Sequence, residues 1–402
     1  SSFRPGHSGN RVRAAEAHSV HLVLDATAAL DTASMWAHRF AALLSLVAAK
    51  PSALELRPVP TSYNALVAGA TGSSFGEVAK VVEVETPELA ADEVLVQVCY
   101  AGVNGGCETF RARGDHMFAG NKEAADFALG AEGVGLVAAV GADVRDVAVG
   151  DSVCFVNAAF AEYSTSKASM LWRIPEATPE YVGLRISALT ACAMLEETGK
   201  IKAGDTVLVT AAAGGAGHYA VQIAKQNGAT VVGTCSSEQK ARILKALGCD
   251  FVVNYKEREC AEAFAEICPE GFDVVLEGVG GKMLQASLGA LGPKGKLLQI
   301  GYISEYPHNP EAAAETAAHG LDTSNLFWKK ETIARGDQTI IGNAWPDFSA
   351  IVGCKDRVLS LFHDGELRSL VDERPFEGLD AVPAAIDHML SGTTVGKVVV
   401  KI

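Results

Sequence analysis

Residues 206–217 read Thr-Val-Leu-Val-Thr-Ala-Ala-Ala-Gly-Gly-Ala-Gly, a compact apolar run followed by a turn of small residues. The run predicts a buried strand, and the turn opens a helix predicted over 216–228. Downstream, apolar runs keep alternating with helical stretches, with strands predicted at 230–234, 251–253, 272–276 and 296–300 and helices at 238–247, 258–267 and 282–291. Such alternation predicts a doubly wound α/β fold, in which a parallel sheet is covered by helices on both faces.

The small residues of this turn match the fingerprint of a dinucleotide-binding site. Ala212 lets the turn close, Gly214 lets the backbone approach a pyrophosphate, and Gly217 lets helix and strand pack closely. The phosphates would then lie at the helix N-terminus, beside Gly215 and Ala216. The strand–turn–helix context predicts nucleotide binding, and a tight turn without a ligand is the alternative.

The end of the second strand decides which dinucleotide the site favours. An NAD site places Asp or Glu there to hold the ribose 2′-hydroxyl, whereas this strand runs into Ser236 and Ser237, with Lys240 close behind. Hydroxyls and a cation suit a 2′-phosphate, and Tyr255 after the third strand could add a hydroxyl or an aromatic face. The pattern favours NADPH over NADH, while a solvated helix residue is the other interpretation of Lys240.

The part of the chain before this sheet is rich in short strands and glycines. Val94, Val96 and Val98 alternate with polar neighbours, which predicts a half-buried strand, and five glycines cluster between residues 130 and 150. The chain ends in a predicted strand that rejoins this region. We therefore predict a small barrel-like β domain built from residues 61–187 and 343–402, and a dinucleotide-binding domain over 188–342.

Composition and charge limit the partners. The chain has 402 residues, of which 49% are hydrophobic and 20% charged, and this composition is typical of a soluble globular protein of about two domains. A net charge of −14 disfavours nucleic acid and leaves a small-molecule substrate as the expected partner. The nine cysteines form no C-x-x-C pair, which argues against a zinc knuckle. No apolar run reaches about 18 residues, so no membrane span is predicted.

Residues 1–60 differ from the rest of the chain. The first twenty contain three arginines, several serines and one acidic residue, a composition typical of organelle transit peptides. A chloroplast is the first interpretation, with mitochondrion or cytoplasm as alternatives, and a disordered tail is equally compatible. A helix predicted over 24–49 carries an apolar stripe that could dock on the protein itself or contact a partner.

One glycine-rich stretch, Gly130-Ala131-Glu132-Gly133-Val134-Gly135, resembles the signature of the medium-chain dehydrogenase/reductases. The Ala-Ala-Gly-Gly-x-Gly turn, the Ser-Ser-x-x-Lys segment and the Val-Gly-Lys-Val ending are similar to the same family, and the resemblance covers about 62–402. Residues 297–304 resemble its quinone oxidoreductase and prostaglandin reductase 3-like branch. The resemblance implies a GroES-like β-barrel domain joined to a Rossmann domain, usually as a homodimer, with the active site between the domains.

The metal positions of the family's zinc alcohol dehydrogenases carry other residues in this chain. Asn104 stands in place of a cysteine, Ala131 in place of the histidine of Gly-His-Glu, and Ser187 in place of the third ligand. A catalytic zinc needs three protein ligands. The comparison with these enzymes therefore predicts that the protein binds no metal.

Without a metal, a conjugated substrate is the more natural hydride acceptor. Hydride from NADPH can attack the β-carbon of an enone or alkenal, or a quinone, and the charge then spreads into an enolate that hydrogen-bond donors can hold. By its place in the family's motif, Asn104 is the predicted donor. Tyr302 follows the predicted strand 296–300 at the carboxyl edge of the sheet, where ligands bind, so it is predicted to line the nicotinamide pocket and could donate a proton. Gly301 and Thr190 are predicted beside the cofactor by analogy with the family.

Alternatives to these assignments stay open. Asn104 could be a turn-forming residue, Tyr302 could pack with its hydroxyl at the surface, and the final proton could come from water. The basic side chains of the loop 103–122 could attract an anionic substrate or be solvated. The whole protein could instead be a non-catalytic NADPH-binding scaffold that docks through the predicted helix at 24–49.

Overall fold

The computed structural model describes residues 54–69, 72, 74–106, 127–306, 323–344 and 348–402. The predicted transit peptide, the helix predicted over 24–49 and the basic residues of the loop 103–122 lie outside the described residues. Residues 55–402 group into one unit. Within the described parts of the chain, no helix is both long and apolar enough to cross a membrane.

The elements are labelled in chain order. The strands in the described residues are β1 (Ser62–Ala68), β2 (Ala79–Glu85), β3 (Glu93–Gly102), β4 (Phe127–Ala128), β5 (Glu132–Val140), β6 (Ser152–Val156), β7 (Tyr163–Lys167), β8 (Trp172–Ile174), β9 (Thr206–Val209), β10 (Thr230–Cys235), β11 (Phe251–Asn254), β12 (Phe272–Glu277), β13 (Leu291–Gln299), β14 (Thr332–Arg335), β15 (Gln338–Ile341) and β16 (Val399–Lys401). The α-helices are α1 (Phe75–Val78), α2 (Pro179–Gly183), α3 (Leu189–Cys192), α4 (Gly217–Gln226), α5 (Glu238–Ala246), α6 (Cys260–Ile267), α7 (Gly281–Gly289), α8 (Thr323–Trp328), α9 (Phe348–His363) and α10 (Val382–Leu390). Two π-helical turns, Leu184–Ala188 and Ala193–Gly199, flank α3.

The predicted parallel sheet is confirmed. Seven strands pair in the order β11-β10-β9-β12-β13-β15-β14, and all neighbours are parallel except the edge pair β14 and β15. Apolar side chains from the strands and helices, among them Leu208, Phe264 and Leu297, form one buried cluster. The order places the carboxyl ends of β9, β10 and β12 side by side, which is where ligands bind to sheets of this kind.

The remaining described strands form two further sheets. One has the order β16-β3-β5-β6-β8, with β7 also paired to β3, and the other has the order β2-β1-β4. The pairing of β16 with β3 is antiparallel, which confirms that the predicted last strand rejoins the β-rich region. Phe155, Phe160 and Val96 lie at the centre of the core beneath these strands.

The prediction of a half-buried strand at β3 is wrong, because both of its faces are covered. Leu95 on the second face packs with Ala138 and Tyr163 in a separate apolar cluster. Gln97 is buried there as well, and its side chain accepts a hydrogen bond from the Arg57 N–H at 2.7 Å and donates to the Glu55 carbonyl at 3.0 Å. A segment about 40 residues earlier in the sequence therefore covers the face that the alternation assigned to solvent.

Candidate active site

Close backbone contacts hold the glycine turn between β9 and α4. A Cβ at Gly217 would overlap the carbonyl oxygen of Ala211 and lie 2.7 Å from the Cα of Ala212. Ala212 is fully buried, and its N–H donates to the carbonyl of Thr234 on β10 at 3.0 Å. Glycine at position 217 therefore lets α4 begin directly against the strand, as the dinucleotide fingerprint requires.

The side chain of His218 holds the glycine turn through a hydrogen bond to its backbone. Its Nδ1 lies 2.9 Å from the carbonyl oxygen of Gly214, and its Nε2 accepts the backbone N–H of Leu370 at 3.1 Å. Nε2 must therefore be unprotonated, so Nδ1 carries the hydrogen and donates it to Gly214. Burial lowers the pKa of His218 to about 4, so the ring is neutral at pH 7. The sequence analysis did not single out this residue.

The residues predicted to select the 2′-phosphate gather at the carboxyl ends of β10 and β11. Ser237 caps α5, with its hydroxyl accepting the N–H of Lys240 at 3.3 Å, and Ser236 precedes it. The N–H of Tyr255 donates to Cys235 at 3.0 Å, while the tyrosine ring is exposed. The arrangement brings two hydroxyls, a lysine and an aromatic ring to one edge of the sheet.

Lys240 itself is not a solvated helix residue. Its side chain is 8% exposed, and its Nζ donates to the carbonyl of Gly392 at 2.6 Å. Burial lowers the pKa of the lysine. An ammonium has three hydrogens, so a phosphate at the end of β10 can accept from Lys240 while the contact with Gly392 remains.

A buried ion pair lies beside the turn and was not predicted as part of the site. The Nζ of Lys397 is 2.6 Å from Oε1 of Glu132, with side-chain exposures of 2% and 0%. The same ammonium lies 2.8 Å from Oδ1 of Asn104 and 3.4 Å from Oγ of Ser187. The amide of Asn104 donates to Oε1 of Glu132 at 3.0 Å, and the N–H of Ile186 donates to Oε2 at 2.8 Å.

The ammonium of Lys397 lies between Asn104 and Ser187. These are two of the three positions that the sequence comparison matches to the metal ligands of zinc alcohol dehydrogenases. A Cβ at Gly215 would lie 3.6 Å from Oγ of Ser187 and 3.7 Å from Cδ of Lys397, so the cluster adjoins the glycine turn. The described residues contain no group of three or more His, Cys, Asp and Glu side chains placed to hold a metal. A sequence signal for the cluster is Lys397, which directly precedes the apolar run of residues 398–400.

The segment after β13 brings Tyr302 close to the loop that carries Asn104. A Cβ at Gly105 would lie 3.2 Å from Cδ1 of Ile303, so the two segments are in contact. The hydroxyl of Tyr302 accepts the Nε1–H of Trp328 at 3.0 Å, and the tyrosine is buried among aromatic rings. The alternative of a surface hydroxyl is therefore wrong.

Two further residues predicted beside the cofactor, Gly301 and Thr190, lie within the described residues. A Cβ at Gly301 would lie 3.3 Å from the hydroxyl of Tyr306, so a glycine keeps this position open next to the tyrosine pair. Thr190 is buried in α3, directly after the π-helical turn that carries Ser187.

A buried carboxyl at the end of β12 was also missed. Glu277 is fully buried and accepts hydrogen bonds from the N–H groups of Val279 at 2.8 Å and Gly280 at 3.0 Å. Burial, with a smaller contribution from the nearby Glu305, raises its pKa to about 7. The sequence offered no signal for it, because an acidic residue at a strand end is usually solvated.

The Glu277→Gln variant should change how stability depends on pH. The pKa of this carboxyl is 4.5 without perturbation and about 7 in the folded protein, so protonation favours folding. The contribution of Glu277 to the free energy of unfolding should therefore fall by on the order of 3 kcal/mol as the pH rises from 4.5 to 7, and the variant lacks this contribution. Urea denaturation at several pH values measures the free energy of unfolding of both proteins. Because both contain His218, its contribution cancels in the difference between them.

The control for this comparison is Glu88→Gln, which changes an exposed carboxyl. A difference between Glu277→Gln and wild type that stays constant from pH 4.5 to 7 would show that Glu277 titrates alike in the folded and unfolded chain.

Comparison with known proteins assigns the family. Residues 90–176 match the alcohol dehydrogenase GroES-like domain, and residues 215–351 match the zinc-binding dehydrogenase family. A probable quinone oxidoreductase from Leishmania amazonensis is 36% identical over 347 residues, which are 85% of this chain and 99% of that protein. Prostaglandin reductase-3 from Mus musculus is 39% identical over 69% of this chain and 73% of its own length.

A solved structure shows the same fold. A mycobacterial protein in complex with NADPH superposes with a TM-score of 0.69 at 26% identity, over 85% of this chain and 100% of that one. The chain belongs to the medium-chain dehydrogenase/reductase superfamily, in its quinone oxidoreductase and prostaglandin reductase branch. It is an oxidoreductase.

Proposed function

We propose that the protein is an NADPH-dependent reductase that transfers hydride, without a metal, to α,β-unsaturated carbonyl compounds or to quinones. The observation that supports this proposal is the contact of the glycine turn with Ser187 and Lys397, because a dinucleotide bound at the turn would lie close to hydrogen-bond donors and a fixed cation. The names of the relatives, a quinone oxidoreductase and a prostaglandin reductase, support the same two substrate classes.

The residues present fit an NADPH molecule. The turn from Ala212 to Gly217 would hold the pyrophosphate at the start of α4. Hydroxyls of Ser236 and Ser237 and the ammonium of Lys240 would hold the 2′-phosphate, while Glu238 begins the following helix. Thr190 and Gly301 would border the nicotinamide. When bound, NADPH supplies the hydride.

The chain's own residues would handle the charge that develops on the substrate. Asn104 presents an amide N–H to the substrate oxygen, and this contact strengthens as the oxygen gains negative charge. Tyr302, one segment away, keeps its hydroxyl in an aromatic environment that excludes water. It is the candidate donor of the proton that completes the reduction, with solvent as the other source.

Replacing Lys240 should weaken NADPH binding selectively. A hydrogen bond between charged groups contributes about 1.5–3 kcal/mol, so Lys240→Ala should raise the Kd for NADPH about 10- to 100-fold and leave the Kd for NADH unchanged. Titration of cofactor fluorescence measures both constants. Lys245→Ala in the last turn of the same helix is the control, and an equal loss for both cofactors would remove Lys240 from the 2′-phosphate site.

The proposed function is tested by following NADPH oxidation with a panel of enones, alkenals and quinones. We expect turnover with at least one class, much slower turnover with NADH, and no effect of a chelator. Tight NADPH binding without turnover on any acceptor would overturn the proposal.

A further inference from the structure

The ion pair of Lys397 and Glu132 is almost completely buried, and a contribution to stability alone does not explain that burial. Moving two charges out of water costs free energy, and their mutual attraction offsets that cost only when the geometry is good. A protein with an apolar pair of similar size in the same place is often equally stable. The geometry is good here, because the three hydrogens of the ammonium face three acceptors, on Glu132, Asn104 and Ser187. What this arrangement fixes is the side chain of Asn104.

The ion pair leaves the Asn104 amide a single orientation. An ammonium can only donate and a carboxylate can only accept, so Oδ1 must face Lys397 and Nδ2 must face Glu132. Rotating the amide by half a turn would direct its N–H groups at the ammonium and its oxygen at the carboxylate. The second N–H of the amide makes only a long contact of 3.4 Å, with the carbonyl of Gly102, so a substrate oxygen can replace that acceptor.

Gly102 leaves the space that the cluster occupies. A Cβ at Gly102 would lie 2.9 Å from both Cγ of Glu132 and Cε of Lys397, closer than real side chains approach. On the other side, the stem of Lys397 passes Gly215 of the cofactor turn, and the N–H of Gly396 donates to the carbonyl of Ala213 at 2.8 Å. Lys397 and its neighbour Gly396 therefore contact the glycine turn, and Lys397 also contacts Asn104.

We propose that Lys397 is a positioning residue of the reductase site, whose ammonium, held by Glu132, orients the Asn104 amide so that its second N–H points to the substrate oxygen. This inference rests on the proposed function. It predicts that losing the ion pair lowers the rate of hydride transfer through Asn104, without weakening cofactor binding at the turn.

The test uses the full chain with Glu132→Gln and Lys397→Met combined, which removes both charges and leaves no unpaired one. A misplaced catalytic group costs up to about 100-fold in rate, so we expect kcat to fall about 10- to 100-fold, with the Kd for NADPH and the urea midpoint close to wild type. Asn104→Ala should lower kcat by about 100-fold in the wild-type background and cause little further loss in the double variant.

The matched control is Glu377→Gln with Lys401→Met, which removes an exposed ion pair on β16 by the same two substitutions and should leave kcat unchanged. Should the buried double variant not fold, Lys397→Arg keeps a positive charge beside Glu132. Its planar fork pairs with the carboxylate differently, so kcat should again fall at least tenfold, with no further loss from Asn104→Ala.

Wild-type kcat in the folded double variant would overturn the inference, as would a loss that multiplies with that of Asn104→Ala, because Lys397 would then act independently of the amide. Either result would leave the proposed function intact. An absence of turnover in the wild-type protein itself would overturn the proposed function and this inference together.

Discussion

The Gly217→Ala variant is expected to lose tight NADPH binding, with a rise in Kd of about 100-fold or more. The added Cβ would overlap the carbonyl oxygen of Ala211 and lie 2.7 Å from Cα and 2.8 Å from C of Ala212. All of these atoms belong to the backbone, so none can rotate away. Either the turn opens or the start of α4 moves outwards, and both changes carry the helix N-terminus away from the phosphates that it would bind.

The matched control is Gly289→Ala in the last turn of α7, where a Cβ would meet no atom within 4 Å. Fluorescence titration with NADPH and urea denaturation of the three proteins separate binding from folding. Overpacking of this kind costs about 1–3 kcal/mol, so Gly217→Ala should still be folded at 25 °C. Wild-type affinity in that variant would mean that NADPH does not use this turn.

Lys397→Met alone is expected to cause the largest loss of stability, about 3–5 kcal/mol, because it leaves the carboxylate of Glu132 buried without its cation. Among the described residues, the N–H of Ile186 and the amide of Asn104 would then remain as donors to that carboxylate. Adding Glu132→Gln to Lys397→Met removes the uncompensated charge and should recover most of the loss. Urea denaturation of the single and double variants measures both effects.

The exposed pair on β16 provides the comparison. Lys401 and Glu377 lie 2.8 Å apart with side-chain exposures of 52% and 73%, so water screens the two charges and the pair contributes little to stability. Lys401→Met should therefore be nearly neutral. Equal losses for Lys397→Met and Lys401→Met would show that water reaches Glu132 and that the pair is not buried in solution.

The parallel sheet could be predicted from the sequence because its signals are local. Each strand is one short apolar run, and each helix follows within a few residues, so a window of about 15 residues contains the information. The turn at Ala212 to Gly217 was predicted for the same reason. The burial of both faces of β3 was not predicted. The residues that cover its second face, Glu55, Arg57 and Tyr163, lie too far from β3 in the sequence for a local pattern to include them.

The Asn104 cluster shows the same limit at the site. Asn104 was predicted through a family motif, but the side chains that orient it are Glu132 and Lys397, the latter 293 residues away in sequence. Spacing carries no information about a contact of this range. His218 and Glu277 were missed for another reason: their chemistry comes from burial, which residue type alone does not show.

The final stretch of the chain has a consequence for how the protein is made. Residues 392–401 provide the carbonyl that Lys240 contacts, the N–H that holds the glycine turn, the ammonium beside Glu132 and the strand that pairs with β3. A ribosome adds this stretch after the partners of all four contacts have already emerged. During synthesis the glycine turn and the carboxylate of Glu132 therefore lack these contacts until residues 392–401 have been added.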